Sequence, residues 1–359
     1  MTPDPVTPDP VHAASDDARG GDLLHERALG CLAGVALGDA LGMPVEGWTR
    51  ERVAAEHGTV DRLLPGTGRG MPAGRVTDDT EQTLMLVDVL VETGGRPRAD
   101  VVVRHLLAWV DAAGPRGDAV IGPSTAHALA LLRAGADPRT TGGTGRTNGA
   151  AMRVAPVGIV VPVDDPVALV DAVEETCVMS HHTAEALAAA ALVAAVVSSA
   201  LDAPAADAGA VDPLPHVARG LDVAALAARR GAPAAGTSVT EAVRAALRVA
   251  STAGDDADFL RRLAADVGTS VAAVESVPAA VACLVRAAGD PWRAAVLGAS
   301  AGGDTDTVAS MAAGMAGALA GVRAVPADAL ARVREVNALD LDAAATALVG
   351  LRHGRATAG

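Results

Sequence analysis

Gly302-Gly303-Asp304-Thr305-Asp306-Thr307 runs straight into the apolar stretch Val308-Ala-Ser-Met-Ala-Ala-Gly-Met-Ala-Gly-Ala-Leu-Ala-Gly321. The glycines permit a tight approach of the chain, and two carboxylates and two hydroxyls follow at alternate positions. A helix with Gly and Ala at close-packing positions then begins at once. Far upstream, Thr77-Asp78-Asp79-Thr80 precedes the apolar-periodic run Glu81 to Leu90 in the same way. Thr and Asp are ordinary N-cap residues, and Asp78-x-x-Glu81 reads as a capping-box variant, so either cluster alone reads first as a helix cap. Capping uses one side-chain oxygen, however, whereas each cluster stacks two carboxylates that repel one another. A helix N-terminus supplies only about half a positive charge. Two such clusters together call for more, and a pair of hard cations held by carboxylate and hydroxyl oxygens meets that requirement.

The chain has 359 residues, half of them apolar, enough for one large or two ordinary domains. A formal net charge of −14 argues against a nucleic-acid or anionic-membrane surface. Cys31, Cys177 and Cys283 are odd in number and widely spaced, without Cys-x-x-Cys, so neither a disulfide framework nor a zinc site is expected. Residues 1–21 begin Met1-Thr-Pro-Asp-Pro-Val-Thr-Pro-Asp-Pro10, acidic and proline-rich where a signal peptide is basic and then apolar; they read as a disordered leader of a cytoplasmic protein. The longest apolar run, Ala184 to Leu201, is mostly Ala with Glu185, Ser198 and Ser199 inside it, and reads as a buried helix, so no membrane span is expected.

Apolar residues recur at three- and four-residue intervals from Asp22 to Ala40, with Gly30, Gly34 and Gly38 spaced to admit a second helix closely. Further helices are predicted over Thr80–Glu92, Asp100–Asp111, Ser124–Ala134, Pro166–Cys177, Thr183–Leu201, Val239–Ser251, Ala257–Ala265, Val277–Ala287, Pro291–Ala299, Asp306–Val322 and Pro326–Val349. Val157 to Val163 is an isolated β-like run, so the pattern predicts a single all-α domain over residues 22–354. The Ala-, Pro- and Asp-rich stretch 202–237 reads as a mobile insertion.

Three further segments offer chemistry. Gly142-Gly143-Thr144-Gly145-Arg146-Thr147-Asn148-Gly149 feeds Met152 and Arg153; such a loop either cradles phosphate on its backbone N–H groups, with arginine charge added, or is a flexible turn. It lacks the Gly-Lys-[Ser/Thr] of a Walker loop. His181 and His182 are adjacent, face different sides of a helix, and on spacing alone read as structural. Glu46, in the turn Gly42-Met-Pro-Val-Glu46, is a candidate general base.

These segments, in this order, resemble the ADP-ribosylglycohydrolase family. The resemblance is carried by Gly34-x3-Gly38-Asp39-Ala-Leu-Gly42-x2-Val45-Glu46, Thr77-Asp78-Asp79-Thr80-Glu81, Asn148-Gly149-x2-Met152-Arg153, Ser180-His181 and Gly302 to Thr307. It implies a single-domain orthogonal helical bundle with a binuclear cleft holding two Mg²⁺ or Mn²⁺ ions. The implied metal ligands are Thr77, Asp78, Asp79, Asp304, Asp306 and Thr307, with Glu46 and Asp304 catalytic. Gly145, Arg146, Asn148, Gly149, Met152, His181, Gly302 and Gly303 are the implied substrate-binding set.

The implied reaction is hydrolysis at the ribose anomeric carbon of an ADP-ribosylated protein, arginine being the leading acceptor. A glycosidase of a small nucleoside, nucleotide or ribosyl metabolite is the alternative, and a non-catalytic structural relative a third. Two departures bear on this. Some relatives carry an Asp before an Ile-Gly turn, where this chain has Val120 before Ile121-Gly122 and its nearest acid is Asp118. Some relatives stack adenine on a loop aromatic, where this chain has Arg146; either its guanidinium plane stacks on the base, or the substrate is not a full ADP-ribosyl group.

Overall fold

The computed structural model describes residues 10–66, 70–114, 121–204, 211–233 and 236–356. Eighteen α-helices are used here: α1 Pro10–Gly42, α2 Arg50–His57, α3 Asp78–Glu92, α4 Ala99–Ala113, α5 Pro123–Arg133, α6 Pro138–Thr141, α7 Gly149–Arg153, α8 Ala155–Val160, α9 Pro166–Cys177, α10 Ala184–Leu201, α11 Leu214–Ala227, α12 Val239–Thr252, α13 Asp256–Arg262, α14 Ala273–Arg286, α15 Pro291–Ala299, α16 Thr305–Ala320, α17 Ala327–Asn337 and α18 Leu341–Ala356. Among the described residues β pairing is limited to two isolated bridges, so the all-α expectation holds.

The architecture turns on the antiparallel pair α1 and α16. A Cβ placed on Gly30 would sit 2.4 Å from Gly317 O, on Gly34 2.1 Å from Ala313 O, on Gly38 2.3 Å from Ala309 O, and on Gly42 2.4 Å from Thr305 O. Each four-residue step along α1 matches a four-residue step back along α16, so the two backbones touch along the whole seam. The C-terminal end of α1 therefore lies against the N-terminal end of α16. That is where both helices carry their acids.

Helix α10 is the second core element, buried along almost its entire length and packed on α7, α8, α9 and α11. Gly21–Val45 and Ala184–Leu201 are long and apolar enough to cross a membrane, yet 100% and 89% of their apolar windows are buried inside this fold. Their surroundings are those of core helices. The three cysteines are buried too, and burial pushes the Cys31 and Cys177 thiols up to about 12, which suits packing and not nucleophilic chemistry.

Four expectations need correction. Helix α1 starts at Pro10, inside the expected leader, of which residues 1–9 lie outside the described residues. Within the expected mobile insertion, α11 packs on α10 through buried Val217, Gly220, Val223, Ala224 and Ala227, a helical stripe that the Ala- and Pro-rich flanks obscured. The β-like run Val157–Val163 is helical through Val160, because α8 is buried on all sides and α-helical hydrogen bonds satisfy its backbone. The predicted helix Pro326–Val349 is two helices: Ala338 turns left-handed (φ 53°), and Asp340 Oδ1 accepts from Ala343 N (3.0 Å) to start the second.

The seam yields a direct test. Gly34→Ala forces a methyl into a backbone carbonyl and should cost about 1–3 kcal/mol or more in urea unfolding. Gly350→Ala, in the exposed middle of α18 with nothing within 4 Å, should instead stabilise by about 0.5–1 kcal/mol.

Candidate active site

Neither acidic helix caps itself. Thr77 and Asp304 occupy the N-cap positions of α3 and α16, and neither side chain accepts a capping bond from a backbone N–H of its own helix. The expected capping box does not form: Glu81 accepts from Arg75 Nη2 (2.8 Å) and Trp109 Nε1 (3.1 Å) instead. The capping of α3 comes from α1, where fully buried Asp39 accepts from Thr77 N (3.0 Å), Thr80 N (3.1 Å), Thr77 Oγ1 (2.8 Å) and Thr80 Oγ1 (2.5 Å). Burial still holds its carboxyl at about 6, above the usual range, despite those four donors. With capping done from outside, the carboxylates of Asp78 and Asp79 are left to the cleft.

The two clusters meet. Thr307 Oγ1 donates to Asp79 Oδ2 (3.2 Å), tying α16 to α3 across 228 residues of sequence. Asp304 Oδ2 accepts from Asn148 Nδ2 (2.5 Å), and Asp78 Oδ2 from Gln82 Nε2 (3.1 Å). Carboxylate oxygens of Glu46, Asp304 and Asp306 lie within 4.8 Å of one another. Glu46 is exposed at the rim, on a turn fixed by backbone bonds from Gly47 N to Gly303 O (2.8 Å) and Gly303 N to Trp48 O (2.8 Å). Burial and then mutual repulsion push Asp78, Asp79 and Asp306 well above the ordinary carboxyl range, and burial raises Asp304.

The donor set fits hard cations. Asp79 Oδ1 is buried and has no hydrogen-bond partner, an expensive state for a carboxylate oxygen that a coordinated cation would relieve. The cleft lining has five carboxylates, Glu46, Asp78, Asp79, Asp304 and Asp306, together with Thr77 and Thr307; among its described residues it has no Lys, Arg, Trp or Phe. All six ligand candidates line this one cleft.

The substrate-binding candidates divide. Asn148, Gly149 and Met152 line the cleft; Gly145, Arg146, His181, Gly302 and Gly303 do not. Arg146 is exposed and pairs with Glu185, which also lies outside the cleft lining. Gly302 and Gly303 serve the backbone: both have positive φ (78° and 76°), and a Cβ on Gly303 would lie 2.3 Å from Thr269 O. Gly145 packs on Ser180 O, and His181 is fully buried behind Gly149. Asp118 and Val120 lie outside the described residues. Sequence reasoning missed Asp39, Gln82, Thr125, Thr147 and Val271; only Asp39 and Thr147 stood inside motifs already singled out.

A model of the ADP-ribosylglycohydrolase family matches residues 21–358. The chain belongs to that family. It is 37% identical over 335 residues to the "Uncharacterized protein YegU" of Escherichia coli (strain K12), covering 92% of this chain and 98% of that one. It is 37% identical over 90 residues to the "ADP-ribosyl-[dinitrogen reductase] glycohydrolase" of Rhodospirillum rubrum, covering 25% of this chain and 30% of that one. A solved "ADP-ribosylglycohydrolase-related protein complex" superposes with a TM-score of 0.63 at 26% identity, covering 92% of this chain and 99% of its own. The protein is thus a glycohydrolase of the ADP-ribosylglycohydrolase family, all-α like its relatives.

The raised carboxyls set a pH dependence. A folded pKa above the unfolded value means that the native state holds protons the unfolded chain releases, so stability is full below about pH 4 and is lost as pH rises through the folded values. Burial of His181 and His216 in neutral form acts in the opposite sense below about pH 6.5, so the comparison is made against a variant. In chelator, Asp79→Asn should melt above wild type by differential scanning calorimetry, with the gap widening from about pH 5 to 8. A constant gap would mean that these carboxylates are already compensated within the protein.

Proposed function

We propose that this glycohydrolase cleaves the bond between the ribose anomeric carbon and its substituent in ADP-ribosylated proteins, arginine being the favoured acceptor, with two Mg²⁺ or Mn²⁺ ions. The carrying observation is the convergence of two acidic helix starts on one cleft that contains an unpartnered buried carboxylate oxygen. Thr77, Asp78, Asp79, Asp304, Asp306 and Thr307 would hold the ions. When bound, such ions orient a sugar and lower the pKa of a coordinated water. Glu46, at the exposed rim beside Asp304 and Asp306, takes the proton of the attacking water. Asp304, its Oδ2 held by Asn148, orients that water toward the anomeric carbon. Oxygen bonds to that carbon as the old glycosidic bond breaks, and the departing nitrogen or oxygen ends with the proton that Glu46 took from the water, which returns Glu46 to its carboxylate form. Glu46, the exposed carboxylate at the rim, complements a cationic guanidinium better than a neutral serine, which favours arginine as the acceptor. The name of the Rhodospirillum rubrum relative specifies an ADP-ribosylated protein, which supports a protein-linked substrate.

A second reading has its own observation. Among the described residues the lining offers neither an aromatic for adenine nor an arginine or lysine for a diphosphate, which favours a small nucleoside or ribosyl metabolite. Release assays on ADP-ribosyl-arginine, ADP-ribosyl-serine and a nucleoside panel separate the two, and fastest turnover of a nucleoside would displace the first. In either case Asp306→Ala should abolish turnover and lower Mn²⁺ affinity at least tenfold to a hundredfold by calorimetry, with the helical circular dichroism kept. Full activity in that variant would make the acids helix caps after all.

A further inference from the structure

Behind the cleft lies a buried cation that no carboxylate pairs among the described residues. Arg153 is fully buried; its Nη1 donates to Gln82 Oε1 (3.0 Å), and its Nη2 to Ser180 Oγ (3.0 Å) and Thr176 O (3.3 Å). Ser180 Oγ lies 2.8 Å from His181 Nδ1, and His181 Nε2 lies 2.9 Å from Thr147 Oγ1. Proton bookkeeping along this line has one solution. Arginine only donates, so Ser180 Oγ accepts from it, and the hydroxyl hydrogen of a buried serine needs an acceptor of its own. His181 Nδ1 is the acceptor in reach. Nδ1 is then bare, and Nε2 carries the hydrogen and donates it to Thr147 Oγ1.

Burial and the Arg153 charge hold His181 well below the ordinary histidine value, so the ring stays neutral. Thr147 therefore receives a hydrogen bond from behind and keeps its own hydroxyl hydrogen for the cleft that it lines. Beside it stands Thr125, which also lines the cleft and is only 2% exposed; its hydroxyl makes no bond within the protein among the described residues. Gly149 makes room for His181 and Thr125: a Cβ there would lie 3.1 Å from His181 Nε2 and 3.5 Å from Thr125 Oγ1.

We propose that the Arg153–Ser180–His181 relay locks His181 as the Nε2–H tautomer, and that it thereby commits Thr147, with Thr125 beside it, to donating hydrogen bonds to an oxygen of the bound glycosyl substrate. Arg153 and His181 are positioning residues; the threonines touch the ligand. The same guanidinium reaches the other side of the site, since Gln82, which accepts from its Nη1, donates to Asp78. One buried charge orders both the acid half and the hydroxyl half of the cleft. The substrate contact rests on the proposed function, but the proton order does not.

Two measurements keep those parts apart. In ¹⁵N-histidine-labelled protein, with the His181 signals assigned by their loss in His181→Asn, Nδ1 should resonate as unprotonated and Nε2 as protonated on both sides of pH about 6.5. Ser180→Ala should admit the Nδ1–H form. Ribose and ribose 5-phosphate would then be titrated calorimetrically into wild type, Thr147→Val and Thr147→Ser. The valine variant, which also strands the buried His181 Nε2–H and so should melt lower, should lose about five- to tenfold in affinity with its helical circular dichroism kept, and the serine variant should recover both affinity and melting temperature. Loss for both ligands places the donor on the sugar, and loss for the phosphate ester alone places it on a phosphoryl oxygen. An Nδ1–H or doubly protonated His181 in wild type overturns the relay, and unchanged affinity in Thr147→Val overturns the substrate contact. Wild type binding neither ligand would sink the proposed function and that contact with it, while the nitrogen resonances would still decide the proton order.

Discussion

Backbone-to-backbone contact between α1 and α16 is the constraint on which the rest of the molecule depends. Gly30, Gly34, Gly38 and Gly42 leave no room for even a methyl group against Gly317, Ala313, Ala309 and Thr305. Each four-residue step keeps the two helices in register, and the register delivers Asp39 and the Glu46 turn to the start of α16. A seam of larger side chains would hold the helices apart at the usual 8–10 Å. The acids of the two ends would then no longer meet around one small cleft.

What the seam brings together is electrostatically unfavourable. Asp78, Asp79, Asp304 and Asp306 are all held above their ordinary range by burial, and Asp79 keeps an oxygen that nothing in the protein satisfies. Structure elsewhere offsets part of this. Asp39 caps α3 from outside, Asn148 holds Asp304, and Arg153 contributes its charge through Gln82. None of these groups fills the cleft itself. A site that stays strained until a cation enters is consistent with helices built to present oxygens and not to consume them in capping.

Much of this was legible in the sequence, and the reasons for the rest are local. The helical period, the glycine spacing of α1 and the doubled Asp/Thr clusters are patterns that survive in one dimension, so the all-α fold and the two acidic clusters could be read from them, while the choice of six ligand candidates within the clusters came from the family resemblance. Arg146 does not line the cleft, because a residue's position in a glycine-rich loop does not fix which way it faces; it pairs with Glu185, on α10. Asp39 was quoted as part of a turn, yet its task is visible only once α1 and α3 pack. Thr125 carries no sequence signal beyond being a threonine, and Thr147 none beyond its place in the glycine-rich loop. Their importance arises from a hydrogen-bond direction fixed by Arg153, Ser180 and His181, residues drawn from α7 and the turn before α10.

On this structure the two distant acidic clusters form a single candidate cation site. A crystal of the protein grown with Mn²⁺ and measured at the manganese edge tests it most directly. Two anomalous peaks are expected, about 3.5–4 Å apart, between Asp78 and Asp79 on one side and Asp304 and Asp306 on the other. No peak in the cleft, or manganese bound at histidines elsewhere, would contradict it.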